Sequence, residues 1–354
     1  MYDSHCKLDA KLVDFAGYLM PITYPNGIVS EYLSVREKVG MFDVSHMGQI
    51  YIDGKMASSF VQKVISNDIH RICDGQAIYT LMCYEDGGIV DDLIVYRISE
   101  LRYLMIVNAS NIIKDYKWLC KNNDMGVDIV DRSDSYSLIA LQGPDSLNIA
   151  KKIFEIMPNL DFFNHASFNS TYGEIFLSRT GYTGEHGYEI MIDNNNTNKL
   201  WDDLLELGVK PCGLASRDIL RLEMGYCLYG NDINSNSNPI SANLGWVTKL
   251  NKKNFIGKEV LVNYEPFSKL VQFKLLDRGI PRNDYKIFCN GIEVGYVTSG
   301  AYSPKLSSGI GMGYVQKNNI NSNKPLCVQI RNDLIEIEIV KGPFIEGTSL
   351  LNNE

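Results

Sequence analysis

Residues 79–98 read YTLMCYEDGGIVDDLIVYRI, two apolar runs on either side of Asp86-Gly87-Gly88. Asp-Gly between such runs is a strong hairpin signal. Side chains alternate along a strand, so Val90, Asp92, Ile94 and Tyr96 share one face while Asp91, Leu93 and Val95 share the other. Both faces are otherwise apolar. Aspartate is disfavoured in strands, and two in succession need a reason. At least one carboxylate must sit among apolar side chains, where desolvation raises its pKa or a partner holds it charged. The plain alternative is an aspartate that bonds a nearby backbone turn. Alternation alone does not choose between Asp91 and Asp92.

Working outward, a third strand fits 103–107, and Ser110 can cap a helix that follows through Ile112, Ile113, Tyr116 and Leu119. Upstream, a helix fits 57–65, and 13–50 mixes apolar runs with turn signals such as Tyr24-Pro25-Asn26-Gly27. Downstream, strands fit 137–141 and 173–178, and a helix over 199–207 is stopped by Gly208. The Asn-rich stretches 193–198 and 231–238 read as loops. After Tyr264 short apolar strands alternate with turn residues, at 270–275, 286–289, 293–299, 310–315, 326–330 and 335–340. Six such strands suggest a separate small β-barrel or sandwich, with a boundary near 264–269.

The chain has 354 residues, long enough for two or three compact domains. Its formal net charge of −8 argues against broad nucleic-acid binding and leaves room for a local basic patch at Lys249, Lys252, Lys253 and Lys258. A solvated charged surface is the plain reading of those lysines. The eight cysteines contain no C-x-x-C pair, and no two of the five histidines have metal-ligand spacing. Reduced buried thiols and metal-free chemistry are expected. No run approaches the roughly 18 apolar residues that cross a bilayer, and the N-terminus lacks the pattern of a secretory signal. A soluble, intracellular protein is expected, and any removable transit peptide would lie upstream.

Two further strings carry chemistry. Residues 178–189, SRTGYTGEHGYE, place three glycines within seven residues and set Glu189 in an apparent strand beside Tyr188 and Ile190. Clustered glycines let a backbone turn sharply or approach a ligand, although a simple hairpin loop has the same look. The string lacks the form of a phosphate loop. Arg217 and Arg221 stand four apart on a helix expected over 216–224, so they share a face and could hold an acidic ligand. Ordinary salt bridges are the alternative.

Together with Val13-Asp14-Phe15-Ala16-Gly17, Phe42-Asp43-Val44-Ser45-His46-Met47-Gly48, Leu141-Gln142-Gly143-Pro144, Leu228-Tyr229-Gly230-Asn231-Asp232, Gly279-Ile280-Pro281-Arg282 and Val297-Thr298-Ser299-Gly300, these strings resemble the T-protein family. These are the aminomethyltransferases of the glycine cleavage system. The resemblance runs from Tyr2-Asp3-Ser4-His5 to Lys341-Gly342-Pro343-Phe344, essentially the full chain. It implies an α+β fold, a three-domain cloverleaf around a central folate site with a C-terminal β-barrel. In chain order, 1–264 would form the folate-binding core of two interleaved domains and 268–354 the barrel.

The resemblance also implies a reaction. The one-carbon unit of an aminomethyl-dihydrolipoyl H-protein passes to tetrahydrofolate, the acceptor substrate, giving 5,10-methylenetetrahydrofolate, ammonia and dihydrolipoyl H-protein. By the same resemblance, Asp92 is the catalytic aspartate and Asp91 its structural neighbour. Met47, Tyr79, Ile94, Tyr96, Asn108, Tyr182 and Trp246 surround the pteridine, and Glu189 and Arg217 contact the folate. No metal, nucleic acid or membrane partner is implied. A monomer is expected, in the mitochondrial matrix of a eukaryote or the cytosol of a bacterium.

Two departures from the family pattern stand out. Ser241-Ala242-Asn243-Leu244 replaces Glu-Ala-Gly-Leu before Gly245-Trp246, and Glu346 stands where some relatives place a basic residue toward the folate tail. A relative that serves iron–sulfur maturation carries a Lys-Gly-Cys-Tyr-x-Gly-Gln-Glu motif, absent here. Demethylases of the sarcosine type carry a dinucleotide fingerprint, also absent.

Overall fold

The computed structural model describes residues 1–320 and 324–351. Their contacts divide into two compact units that do not follow chain order. The first takes Met1–Thr80, Asp92–Arg217 and the described residues from Gly347 on; the second takes Leu81–Asp91 and Asp218–Glu346. The turn of the 79–98 hairpin and the stretch 218–264 thus belong with the second unit, and the described residues after Glu346 with the first.

In the first unit, β1 (Lys11–Phe15) and β2 (Tyr18–Thr23) form a hairpin, paired from Lys11↔Thr23 to Phe15↔Tyr18. A mixed sheet is built from β3 (Gly40–Asp43), β9 (Tyr136–Gln142), β10 (His165–Ser170), β11 (Gly173–Ser178), β12 (Gly187–Asp193) and β13 (Lys210–Pro211), in the order β10-β11-β12-β9-β3-β13. Its centre is the apolar run of β9, where Ser137 to Gln142 are all buried. A strand buried on both faces has no reason to alternate in polarity. The helix Thr197–Glu206 lays Leu200, Trp201 and Leu204 into the same core, and Gly208 ends it at φ +84°.

The other sheet has the order β5-β6-β7-β4-β8, with β4 at Gly48–Asp53, β5 at Gln76–Cys83, β6 at Ile89–Ser99, β7 at Arg102–Val107 and β8 at Asp128–Asp131. The hairpin read from 79–98 is β5 and β6, and the third strand is β7. The helix at 57–65 is found at Ala57–Val64. One detail differs. Ser110 does not cap a helix: a 3₁₀ turn, Ala109–Asn111, comes first, and the helix Ile112–Lys121 starts after Asn111 with no side-chain cap.

The second unit holds a closed barrel: β14 (Ser268–Leu275), β15 (Lys286–Cys289), β16 (Ile292–Ser303), β17 (Ser308–Gln316), β18 (Leu326–Ile330) and β19 (Asp333–Val340), in the order β14-β17-β16-β15-β18-β19. All six strands expected after Tyr264 are present. A β-carbon at Gly311 would stand 2.5 Å from the Phe273 ring, so only glycine lets β17 pass so close to it. The turn of the β5–β6 hairpin is held here too. Ile89 N donates to Ser237 O at 3.0 Å and Tyr229 Oη donates to Ile89 O at 3.1 Å. The Asn-rich loop at 231–238 thus has a packing role against that turn.

Arg221, 1% exposed, anchors this unit. Its guanidinium donates to Asp218 and Asp232, at 2.8 and 2.7 Å, and to Tyr226 O and Ser299 Oγ, at 2.9 and 2.7 Å. Asp232 in turn accepts from Thr298 Oγ1 at 2.5 Å. Removing one partner of a buried pair strands the other's charge at a cost of about 3–5 kcal/mol. Arg221→Ala is therefore expected to lower unfolding stability by about 3–5 kcal/mol in denaturant titrations; a loss under about 1 kcal/mol would contradict the anchor.

In the first unit, His46 is buried against the β1–β2 hairpin, its ring 5.3 Å from Phe15 and 6.4 Å from Tyr18. Burial, helped by Arg217 and opposed by Asp43, pushes its pKa down to about 4. The unfolded chain protonates near pH 6.5. Between those values the unfolded state binds the extra proton, so stability falls as pH drops from about 6.5 to about 4. Equilibrium unfolding should show a loss of about 3 kcal/mol from this group over that window, reduced in His46→Gln.

Candidate active site

Asp91 is fully buried, whereas Asp92 is half-buried on the opposite face of β6. Two side chains hold the Asp92 carboxylate. Tyr79 Oη, from β5, donates to Oδ2 at 2.9 Å, and Asn108 Nδ2, just past β7, donates to Oδ1 at 2.8 Å. The same Asn108 amide reaches Asp92 O at 3.0 Å, tying side chain and backbone together. Two adjacent strands and the residue just past a third thus supply one residue each. Donors on both oxygens fix the plane of the carboxylate. Ile94, one step further along the same face, and Met47, just before β4, are half-buried.

Tyr96 continues that face but is only 2% exposed. Its ring lies edge-on to His165 and Phe176, at 5.4 and 5.3 Å. Its hydroxyl contacts Ser178 Oγ and Thr180 Oγ1, both at 3.2 Å, and Thr180 donates to Glu189 Oε2 at 2.5 Å. Tyr96, expected beside the pteridine, is thus set deeper than Asp92 and Ile94 on the same face. The aromatic neighbours on β10 and β11 flank the ring, and a hydrogen-bond chain runs from its hydroxyl through Thr180 to Glu189.

Around Glu189 stands a second group. The Arg217 guanidinium carbon lies 4.9 Å from the Tyr182 ring centre and 5.9 Å from that of Phe42. Such cation–π contacts hold a guanidinium without using its N–H donors. Burial lowers the Arg217 pKa, opposed by Glu189 and Tyr182. Its Nη1 is buried and has no hydrogen-bond partner. Such a donor is costly unless something else supplies an acceptor. Phe42 was missed in the sequence because it looks like ordinary strand core.

The glycines of the 178–189 string wrap around Gln142. A β-carbon at Gly181 would lie 2.0 Å from Gln142 Oε1, and one at Gly187 2.3 Å from its Nε2. Gln142 Nε2 donates to Thr180 O at 3.1 Å, and its Oε1 accepts from Thr183 Oγ1 at 3.0 Å. These glycines therefore serve close packing, and the loop presents Tyr182 from a fixed base.

Two expectations are redirected. Arg221 does not form a ligand fork with Arg217, because its donors are taken by the acidic and hydroxyl groups of the second unit. The lysine patch also resolves into local structure: Lys249 Nζ donates to Trp246 O, Lys258 Nζ to Lys252 O and Lys253 O, and Lys252 is buried against the Phe255 ring. Trp246, expected beside the pteridine, lies in the 3₁₀ turn Gly245–Val247 and is 63% exposed. The substituted Asn243 takes φ +58°, a conformation that a glycine would adopt freely, and its amide donates to Leu270 O at 2.6 Å. Among the described residues, no group of three or more His, Cys, Asp or Glu is placed to hold a metal ion, and no helix is long and apolar enough to cross a membrane.

Comparison with known proteins follows the same architecture. Residues 1–252 match the family model described as the GCVT N-terminal domain, and residues 269–346 match the glycine cleavage T-protein C-terminal barrel domain. An aminomethyltransferase of Halothermothrix orenii is 46% identical over 353 residues, covering 98% of this chain and 99% of that protein. One of Chloroherpeton thalassium is 45% identical and covers 98% of each. The crystal structure of the glycine cleavage system aminomethyltransferase T from Bartonella henselae superposes with a TM-score of 0.92 at 33% identity, covering 98% of this chain and 97% of that one. These relatives are bacterial, so the mitochondrial expectation finds no support. With both family domains and full-length relatives in agreement, the chain belongs to the glycine cleavage T-protein family, the aminomethyltransferases.

Proposed function

We propose that the chain carries out the aminomethyl transfer of the glycine cleavage system, with tetrahydrofolate as acceptor and the lipoyl-bearing H-protein as donor. The observation that carries this reading is the Asp92 carboxylate, half-buried yet oriented by Tyr79 and Asn108. The residues present suit a folate. The buried, unpartnered Nη1 of Arg217 can donate to a folate oxygen, and Glu189 can accept from the amino and amide N–H groups of the pterin edge. Tyr182, Met47 and Ile94 offer half-buried surface for the pteridine.

The transfer forms two carbon–nitrogen bonds to the folate amines and breaks the donor carbon's bonds to sulfur and to its amine. The two folate N–H protons end on the sulfur and on the departing ammonia. Positive charge develops on the carbon as the carbon–sulfur bond breaks. Asp92 holds the attacking folate amine in line through a hydrogen bond and stabilises that charge. Tyr79 and Asn108 keep the carboxylate from turning away, so no reorganisation is needed during reaction. Arg217, Tyr182 and Glu189 position the acceptor. The bacterial relatives favour a cytoplasmic setting, and the protein meets its donor as a monomer.

With aminomethyl-loaded H-protein and tetrahydrofolate, Asp92→Asn should slow ammonia release about 100-fold or more while folate binding changes by only a few-fold. Undiminished turnover with binding intact would overturn the role of Asp92. Tyr79→Phe removes one orienting donor and should slow release about tenfold in the same assay.

A further inference from the structure

We infer that the stretch Gly347–Ser349 is a positioning element for the proposed folate site of the same unit. This rests on the reading that Tyr182 and Arg217 contact the folate. The loop that presents Tyr182 has glycines at 181, 184 and 187, with Gly184 at φ +77°. Glycine-rich backbone loses more conformational freedom on ordering than any other. Left to itself such a loop would order its tyrosine only when ligand bound, at the expense of affinity.

Gln142 holds the loop from inside, and Glu185, 5% exposed, holds it from outside. One oxygen of Glu185 accepts from Arg36 Nη1 at 2.9 Å, and that nitrogen also donates to Thr183 O at 2.6 Å. The other oxygen accepts twice from Ser349, from its backbone N and its Oγ, both at 2.7 Å. Ser349 Oγ also accepts from His186 N at 2.8 Å. One serine, 164 residues away in the chain, thus bonds two consecutive loop residues. Hydrogen bonds to a buried charged group are stronger than neutral ones, and losing a partner leaves that charge underserved. The clamp closes three residues from Tyr182, the ring that carries Arg217.

A purely structural tail anchor would affect folding without regard to Tyr182. Calorimetric titration with tetrahydrofolate separates the two. Ser349→Ala in the full chain should weaken binding about tenfold, and Ser349→Thr, which keeps both donors, should restore it. In a Tyr182→Leu background the same Ser349→Ala change should add less than about twofold, because the element it positions is gone. If Ser349→Ala leaves affinity unchanged while Tyr182→Leu weakens it, or if its effect is equal in both backgrounds, the inference is wrong. A wild-type protein that binds no tetrahydrofolate would overturn the folate reading itself, and this inference with it.

Discussion

Everything proposed for this site depends on one constraint of strand geometry: β6 carries two consecutive aspartates, and the pleat sends them to opposite faces. Asp91 is fully buried, while Asp92 emerges half-buried among Tyr79, Ile94 and Asn108. A one-residue slip of the β6–β7 register, which pairs Ile94 with Ile106, would exchange the two carboxylates and bury the one proposed to work. Cross-strand pairing therefore does for Asp92 what a rigid frame does for any preorganised group. Its donors come from neighbouring strands whose spacing is already set.

Beside it, the Arg217 group rests on a different principle. Aromatic faces hold the guanidinium and leave Nη1 without an acceptor. Stability is given up locally, and a ligand that supplies the missing acceptor recovers it. Tyr96 links the two, sharing its face with Asp92 and its hydroxyl chain with Glu189.

Much of this was legible in the chain. The Asp-Gly turn, the strand alternation at Asp91-Asp92 and the six short strands after Tyr264 are local patterns, and local patterns survive folding. Asp92 is not separable from its neighbour by alternation; the choice proposed for it rests on the family resemblance. What stayed hidden is set by distant pairing. Nothing in the sequence says that Arg221 meets Asp232 and Ser299, or that Tyr96 is enclosed by His165 and Phe176. The glycines at 181 and 187 read equally as a ligand loop or a plain hairpin loop, and their close partner is Gln142, about 40 residues upstream. Ser110 had the chemistry of a cap, but the chain leaves β7 in a 3₁₀ turn that takes the capping position away.

The most direct test of this account is a crystal structure of the protein with tetrahydrofolate bound. The account predicts a folate amine within about 3 Å of the Asp92 carboxylate, with Tyr79 and Asn108 still donating to it and Arg217 Nη1 bonded to the ligand. A folate bound with Asp92 out of hydrogen-bond reach and Nη1 still without an acceptor would contradict it.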